Sequence, residues 1–266
     1  MTDRWAVLTD LDGTLLDHDS YDWHPAEPAL QRLRALNIPV IAVTSKTRAE
    51  MADLRLSIPD LALVFGCENG GVVVDQRSKP ERVDVLGTPT EALVYCFERI
   101  RAEQDAPGLG FHEVSDARVA QWTGLPLDQA AKARRREASL PIYWPEDAPG
   151  RQFFIEAVER AGLRVLAGGR FLHLAGSADK GTALDRIRQL LGDGRPLKVM
   201  ALGDSGNDDA LLAAADWAVR LPPKHGPARP EPVSKAILAS QPGPVGWNEA
   251  VLQWLQRMQP AQETQS

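Results

Sequence analysis

Apolar and polar positions change period several times along the chain, and each change marks an element. Trp5 to Thr9 (WAVLT) is a short apolar run closed by Asp10, with the length and flanks of a buried strand. Ala26, Ala29, Leu30, Leu33 and Leu36 then step by three and four, which predicts an amphipathic helix over Pro25 to Leu36, ended by Asn37 and Pro39. Pro39 to Thr44 reads as a second buried strand and Leu61 to Phe65 as a third. Between them Thr47-Arg48-Ala49-Glu50 has capping-box spacing and starts a second helix. Strand, helix, strand, helix, strand predicts a parallel sheet with crossover helices.

Gly70-Gly71 turns into Val72 to Val74, a hairpin strand, and from about Gln76 the alternation becomes irregular as Pro and Gly recur. Thr88-Pro89-Thr90-Glu91 has capping-box spacing with Pro at the first helical position, and Leu93, Val94, Phe97 and Ile100 supply an apolar face. A helix over Arg151 to Ala161 is stopped by Gly162, and Arg164 to Ala167 and Phe171 to Leu174 read as strands. Regular alternation returns with helices over Lys180 to Leu191 and Asp208 to Ala215, strands over Val199 to Leu202 and Trp217 to Arg220, and a last helix over Gly246 to Met258. Pro222 to Pro232 is a Pro-rich loop, and the polar tail after Gln259 is expected to fray. The expected fold is α/β. A doubly wound, Rossmann-like parallel-sheet core comes from residues 1–76 and 176–266, and a smaller α/β cap domain is inserted at 77–175.

Composition narrows the function classes. Of 266 residues 44% are apolar and 25% charged, enough apolar surface to exclude disorder over most of the chain. Lys plus Arg is 30 against 36 Asp plus Glu, so the net charge of -6 disfavours nucleic-acid binding through a broadly basic surface. Cys67 and Cys96 form no CxxC pair and lie in apolar segments. They read as buried free thiols, not a disulfide scaffold or a closed zinc site, and suit a reducing compartment. No run approaches the roughly 20 apolar residues that span a bilayer, and Met1 to Trp5 lacks the order of a signal peptide. The expectation is a cytoplasmic protein without a membrane partner, monomeric or homodimeric.

Ligands of open parallel sheets sit outside the carboxyl ends of the strands. The residues there are Asp10-Leu11-Asp12-Gly13-Thr14, Thr44-Ser45-Lys46 and Gly203-Asp204-Ser205-Gly206-Asn207-Asp208, with Lys180 opening a helix between them. Singly, an Asp-x-Asp-Gly is often a turn, Thr44 a cap and Lys180 a solvated lysine. In this order at strand ends, the four segments predict that carboxylates, a hydroxyl and a lysine converge at one edge. Clustered carboxylates repel one another unless a cation neutralises them. Asp and Asn oxygens without Cys or paired His indicate a hard ion, Mg²⁺. Such a site draws in a phosphate. One Asp can attack phosphorus to form an aspartyl-phosphate, and the other can protonate the leaving oxygen and then activate water. Thr44 and Lys180 would hold the remaining phosphoryl oxygens.

On Asp10-x-Asp12-Gly13-Thr14, Thr44, Lys180 and Gly203-Asp204-x-x-Asn207-Asp208 the chain resembles the haloacid dehalogenase-like phosphatases. The resemblance implies that Asp10 is the nucleophile and Asp12 the acid/base. It also implies that Asp10, the Asp12 carbonyl and Asp204 ligate Mg²⁺, supported by Asn207 and Asp208. The insertion looks like the α/β cap of the subgroup whose cap falls between the second and third motifs. Thr44 to Arg48, Glu68-Asn69-Gly70-Gly71, Asp179-Lys180-Gly181 and Gly243 to Asn248 (GPVGWN) are similar to mannosyl-3-phosphoglycerate phosphatases, over about Leu8 to Leu255. That family hydrolyses a glycosyl-3-phosphoglycerate to the glycosylglycerate, a compatible solute. The chain departs from it at Arg136-Glu137-Ala138-Ser139-Leu140-Pro141, where an aromatic residue and a Glu are expected at Ala138 and Leu140. It departs again at Gly206 and Asp209.

The expected partner is therefore a small phosphorylated sugar. Lys46, Asn69 and Gly70 near the phosphate edge, and Arg134 and Arg136 in the cap, are its candidate binding residues, since a guanidinium can grip a carboxylate in bidentate fashion. Arg135 and Arg151 are further candidates in the cap, Lys46 and Asn69 rank ahead of the cap arginines, and His112 and His173 read as structural. Three alternatives stand beside the leading function. They are a phosphatase for another small sugar phosphate, a phosphotransferase, and a non-catalytic phosphosugar-binding protein.

Overall fold

The computed structural model describes residues 4–168, 171–192, 194–225 and 233–258. In chain order the first elements are β1 (Arg4–Thr9), α1 (Glu27–Ala35), β2 (Val40–Ala42), α2 (Arg48–Ser57), β3 (Val64–Cys67), β4 (Val72–Asp75), β5 (Arg82–Val85), α3 (Thr90–Gln104) and β6 (Leu109–Gly110). There follow α4 (Asp116–Thr123), α5 (Leu127–Ala133), β7 (Ser139–Tyr143), α6 (Arg151–Arg160), β8 (Arg164–Gly168), β9 (Phe171–Ala175) and α7 (Lys180–Gly192). The last are β10 (Leu197–Gly203), α8 (Asp209–Ala214), β11 (Trp217–Arg220), β12 (Ile237–Leu238) and α9 (Gly243–Met258). The chain divides into two compact units, one of Met1–Thr44, Ile58–Ala62 and Leu184–Ser266, the other of Ser45–Ser57 and Leu63–Ala183.

The first unit is built on a five-stranded sheet in the order β12-β11-β10-β1-β2, every pairing parallel. Its central strands are apolar on both faces, as a sheet sandwiched between helices requires. Ala6 to Leu8, Val40 to Val43 and Val199 to Leu202 are all buried. Trp247, Val251 and Trp254 of α9 and Ala29, Leu30 and Leu33 of α1 are buried too. Trp254 meets the Trp5 ring edge-on at 5.2 Å. The GPVGWN segment supports β1. Trp247 Nε1 donates to Thr9 Oγ1 (3.0 Å), and Thr9 Oγ1 in turn donates to the Asp10 carbonyl (2.6 Å). Asn248 Oδ1 accepts from Ala29 N in the first turn of α1 (3.0 Å), satisfying one of its orphan donors.

The second unit carries two antiparallel sheets, β3-β4-β5 and β6-β7-β9-β8. Leu140, Ile142, Leu172 and Leu174 alternate onto one face of the larger sheet and pack with Leu93, Phe97 and Ile100 of α3 and Phe154 and Val158 of α6. On a second cluster, Phe111 packs with Val119 of α4 and Ala130 of α5, and Phe171 and Trp122 lie against it.

Three expectations need correction. The third strand runs over Val64–Cys67 and pairs antiparallel with β4. Only a bridge between Val40 and Leu61 keeps the parallel register expected there. The capping box at Thr88 does not form. Pro89 is the N-cap of α3 without a side-chain bond, and Thr90, the first residue of the helix, donates its hydroxyl to the Ser139 carbonyl (3.4 Å). The helix at Asp208 begins as a 3-10 turn over Gly206–Asp208 before α8. The box at Thr47 is present, with Thr47 N donating to Glu50 Oε2 (2.8 Å) and Glu50 N to Thr47 Oγ1 (3.2 Å). Gly162 has a φ of +80 beyond α6. Cys67 is buried, with its thiol pushed well up by burial, whereas Cys96 is half-buried; both are free. The expected fraying after Gln259 and most of the Pro222 to Pro232 loop lie outside the described residues. Among the described residues no helix is long and apolar enough to cross a membrane.

Replacing Trp247 by Phe removes the hydrogen bond to Thr9 and leaves a buried gap. The expected cost is about 3 kcal/mol, seen as a melting temperature lower by roughly 6–12 °C. An unchanged melting temperature would show that this bond does not support β1.

Candidate active site

Sheet register determines what meets at the edge of the first unit. Thr9, the last residue of β1, is level with Leu202 on one side and Ala42 on the other. Asp10 N donates to the Leu202 carbonyl (3.0 Å) and Val43 N to the Thr9 carbonyl (2.8 Å), so the ladder continues one step beyond the strands. The chain segments leaving β1, β2 and β10 therefore emerge side by side, where the strand order changes direction. Asp10 and Thr44 are buried there and Asp204 is half-buried.

Beyond β1 the chain turns at once. Leu16 N and Thr14 N both donate to the Leu11 carbonyl (2.8 and 3.0 Å), and Gly13 N donates to the Leu16 carbonyl (2.9 Å). Gly13 has a φ of +79, and a Cβ on it would lie 2.7 Å from Asp204 Oδ2, so only glycine lets this turn approach that carboxylate. The Thr14 hydroxyl donates to Asp204 Oδ1 (3.1 Å). Asp12, half-buried, sits in the same turn, bridged to Leu16.

Beyond β10, Asp208 is fully buried and closes a capping box with Ser205. Its Oδ2 accepts from Asp204 N and Ser205 N (both 3.0 Å), which fixes the backbone that aims Asp204. The Ser205 hydroxyl donates to Asn207 Oδ1 (2.5 Å). Sequence reasoning missed Arg220 at the end of β11. It is nearly buried, donates Nη1 to the Ser205 carbonyl (2.6 Å) and pairs with Asp209. Gly206 and Asp209, where the last of the four motifs departs from the expected one, thus lie at a loop that Arg220 braces.

Asp10, Asp204 and Asp208 each offer an oxygen, and these oxygens lie within 4.8 Å of one another. Such crowding favours a cation among them. Three hard oxygen donors at one edge, with a glycine turn close against Asp204, fit Mg²⁺ and not a soft metal.

The remaining candidates belong to the second unit. Lys180 is fully buried and is the first residue of α7. Asn69 and Gly70 lie in a tight turn over Glu68–Gly70 whose residues all have positive φ, and the Lys46 carbonyl accepts from Glu68 N (2.9 Å). Arg136 donates Nε to the Ala133 carbonyl (2.9 Å) and Nη1 to the Ser45 carbonyl and the Ser139 hydroxyl (both 3.1 Å). Arg134 is held on all sides: Nε by the Phe111 carbonyl (2.9 Å), Nη1 by Asp116 and Nη2 by the His112 carbonyl (3.4 Å). Those contacts make it a fastener between α4 and α5. Arg48 is likewise paired, with Glu81 (2.5 Å) and Glu137 (2.8 Å). His173 stands beside Arg136, and burial together with that charge pushes its imidazole from 6.5 down to about 3.

With this geometry in place, likeness to known proteins becomes informative. Residues 7–107 match the model of the haloacid dehalogenase-like hydrolase family. A phosphatase of the haloalkanoate superfamily from Bacteroides thetaiotaomicron superposes with a TM-score of 0.69 at 19% identity, covering 97% of this chain and 95% of its own. A subclass IIB sugar phosphatase of that superfamily gives 0.67 at 17%, over 94% and 98%. The sucrose-phosphatase of Synechocystis sp. PCC6803, solved with sucrose and phosphate, gives 0.63 at 16%, over 96% and 98%. The chain thus has the haloacid dehalogenase-like fold over nearly its whole length, and the family match supports a haloacid dehalogenase-like hydrolase.

The His173 shift has a consequence for acid stability. The unfolded chain binds a proton at His173 below about pH 6.5 and the folded chain does not until about pH 3. Stability is therefore complete above 6.5 and falls as the pH drops through that window. His173→Gln is expected to flatten the loss between about pH 6.5 and 4.5, measured by urea denaturation across pH. Identical profiles for the two proteins would contradict it.

Proposed function

We propose that the protein is a Mg²⁺-dependent phosphatase of a small phosphorylated sugar, acting through a phosphoryl group carried on Asp10. The observation that carries this reading is the convergence of Asp10, Asp204 and Asp208 at the carboxyl edge of the parallel sheet. Asp10 and Asp204, with the Asp12 carbonyl, would hold the ion, and Asp208 and Asn207 support them. When bound there, the ion would offset the charge of the carboxylates and of the incoming phosphate.

An Asp10 carboxylate oxygen attacks phosphorus and the ester P–O bond breaks. Asp12 gives its proton to the departing sugar oxygen. Asp12, now a carboxylate, takes a proton from water as that water attacks the phosphoryl group, which frees Asp10 and inorganic phosphate. Thr44 and Lys180 take the phosphoryl oxygens in this scheme. Residues 77–175 act as the inserted cap that selects the substrate. Two free cysteines and an acidic composition suit a cytoplasmic enzyme.

For the substrate, the segments Thr44 to Arg48, Glu68 to Gly71, Asp179 to Gly181 and Gly243 to Asn248 support a glycosyl-3-phosphoglycerate, mannosyl or glucosyl, as does likeness to sugar phosphatases. One observation favours a different small sugar phosphate. Ala138 is buried with its methyl against Gly71 and Gly87, where an aromatic ring has no room, and Leu140 belongs to the apolar core, where a Glu would be unpaired.

Phosphate release with Mg²⁺ is to be measured across glycosyl-phosphoglycerates and common hexose phosphates. The expected result is turnover of at least one, lost by about a thousandfold or more in Asp10→Asn with the melting temperature kept. Undiminished release by Asp10→Asn would refute the mechanism. Sugar phosphate formed from added acceptor sugar would point to a transferase, and tight ester binding without turnover to a binding protein.

A further inference from the structure

Glu68 is a carboxylate that the proposed chemistry does not use, and it is almost fully buried, at 2% exposure. Such a group persists only if its oxygens are satisfied. Three donors meet it, all from one short segment: Glu137 N at 2.8 Å, Ala138 N at 3.0 Å and the Ser139 hydroxyl at 2.6 Å. The Ser139 hydroxyl also accepts from Arg136 Nη1. A continuous chain of hydrogen bonds therefore runs from the Arg136 guanidinium through Ser139 to the Glu68 carboxylate, and each member polarises the next.

The backbone of Glu68 is equally committed. Its N–H donates to the Lys46 carbonyl (2.9 Å) and its carbonyl accepts from Gly71 N (3.1 Å). Glu68, Asn69 and Gly70 have φ values of 52, 56 and 92, three left-handed residues in succession, two of them with side chains that pay for that conformation. At Gly70 a Cβ would collide with the Asp179 carbonyl and Lys180 N, so the turn presses directly on the residue that opens α7. Strain of this kind survives where surrounding bonds overdetermine it, and the Glu68 carboxylate supplies those bonds.

We propose that Glu68 is a positioning residue. Its carboxylate, through the Ser139 hydroxyl, holds Arg136 in register with Lys46, Asn69 and the start of α7, and so sets affinity for the hydroxyl- or carboxylate-bearing part of the phosphorylated substrate. This rests on the phosphatase reading above, and it gives Arg136 a specific orienting partner.

The test compares Glu68→Gln, Ser139→Ala and Ser139→Thr in the full-length protein. An amide at position 68 keeps the shape of the side chain but turns an NH₂ toward groups that themselves donate. Hydrogen exchange at the Glu137 or the Ala138 amide, whichever faces the NH₂, is expected to quicken by about tenfold in Glu68→Gln. KM for whichever ester the parent hydrolyses is expected to rise by about tenfold in Glu68→Gln and Ser139→Ala, with kcat within about threefold. Ser139→Thr, which keeps the hydroxyl, is expected to retain the parent KM. Should Glu68→Gln not fold, Ser139→Ala and Ser139→Thr still decide the matter. Unaltered exchange, or an unaltered KM in both disruptive variants, would overturn the proposal. Failure of the phosphatase reading looks different: the parent itself would release no phosphate from any ester.

Discussion

Like charges in a low-dielectric edge repel strongly, and this protein holds three of them together. Asp10, Asp204 and Asp208 come from segments almost two hundred residues apart, yet their oxygens lie within 4.8 Å. The parallel register of β1 with β10 imposes the approach, since Thr9 and Leu202 are level and each strand ends at the same edge. Apolar packing of β1 and β10 drives that register. The favourable burial of Ala6 to Leu8 and Val199 to Leu202 therefore offsets the repulsion until a cation can relieve it.

The loops at that edge are arranged around the carboxylates. Asp208 takes two backbone amides on one oxygen, Thr14 donates to Asp204, and Gly13 leaves the space that any side chain would fill. Trp247 reaches from the opposite end of the chain to the Thr9 hydroxyl, one residue before Asp10. The GPVGWN segment thus works as a buttress of the first strand. In the second unit Glu68 does a comparable service for Arg136, so each unit fixes its polar groups from behind with buried hydrogen bonds.

Much of this was legible in the sequence, because local signals and final structure agree. The apolar runs before Asp10, Thr44 and Asp204 are strands of one parallel sheet, and the Thr47 box caps its helix on both sides. What was not legible depended on distant partners. Arg82 to Val85 forms an edge strand with no continuous apolar run, and α4 and α5 are short helices whose few apolar residues make sense only beside Phe111 and Phe171. The Thr88 box fails because α3 starts one residue later than its spacing implies, with Pro89, which has no capping side chain, as the N-cap. No spacing rule announces that Arg220 braces the Ser205 loop, that Arg134 is held by Asp116, or that Glu68 grips Glu137 to Ser139.

Equilibrium binding of Mg²⁺ to the purified protein, read by calorimetry alongside an Asp204→Asn variant, tests the cation site most directly. The account predicts saturable binding at one site per chain, abolished or sharply weakened when the Asp204 carboxylate becomes an amide. Binding that is absent from the parent, or undiminished in the variant, would contradict it.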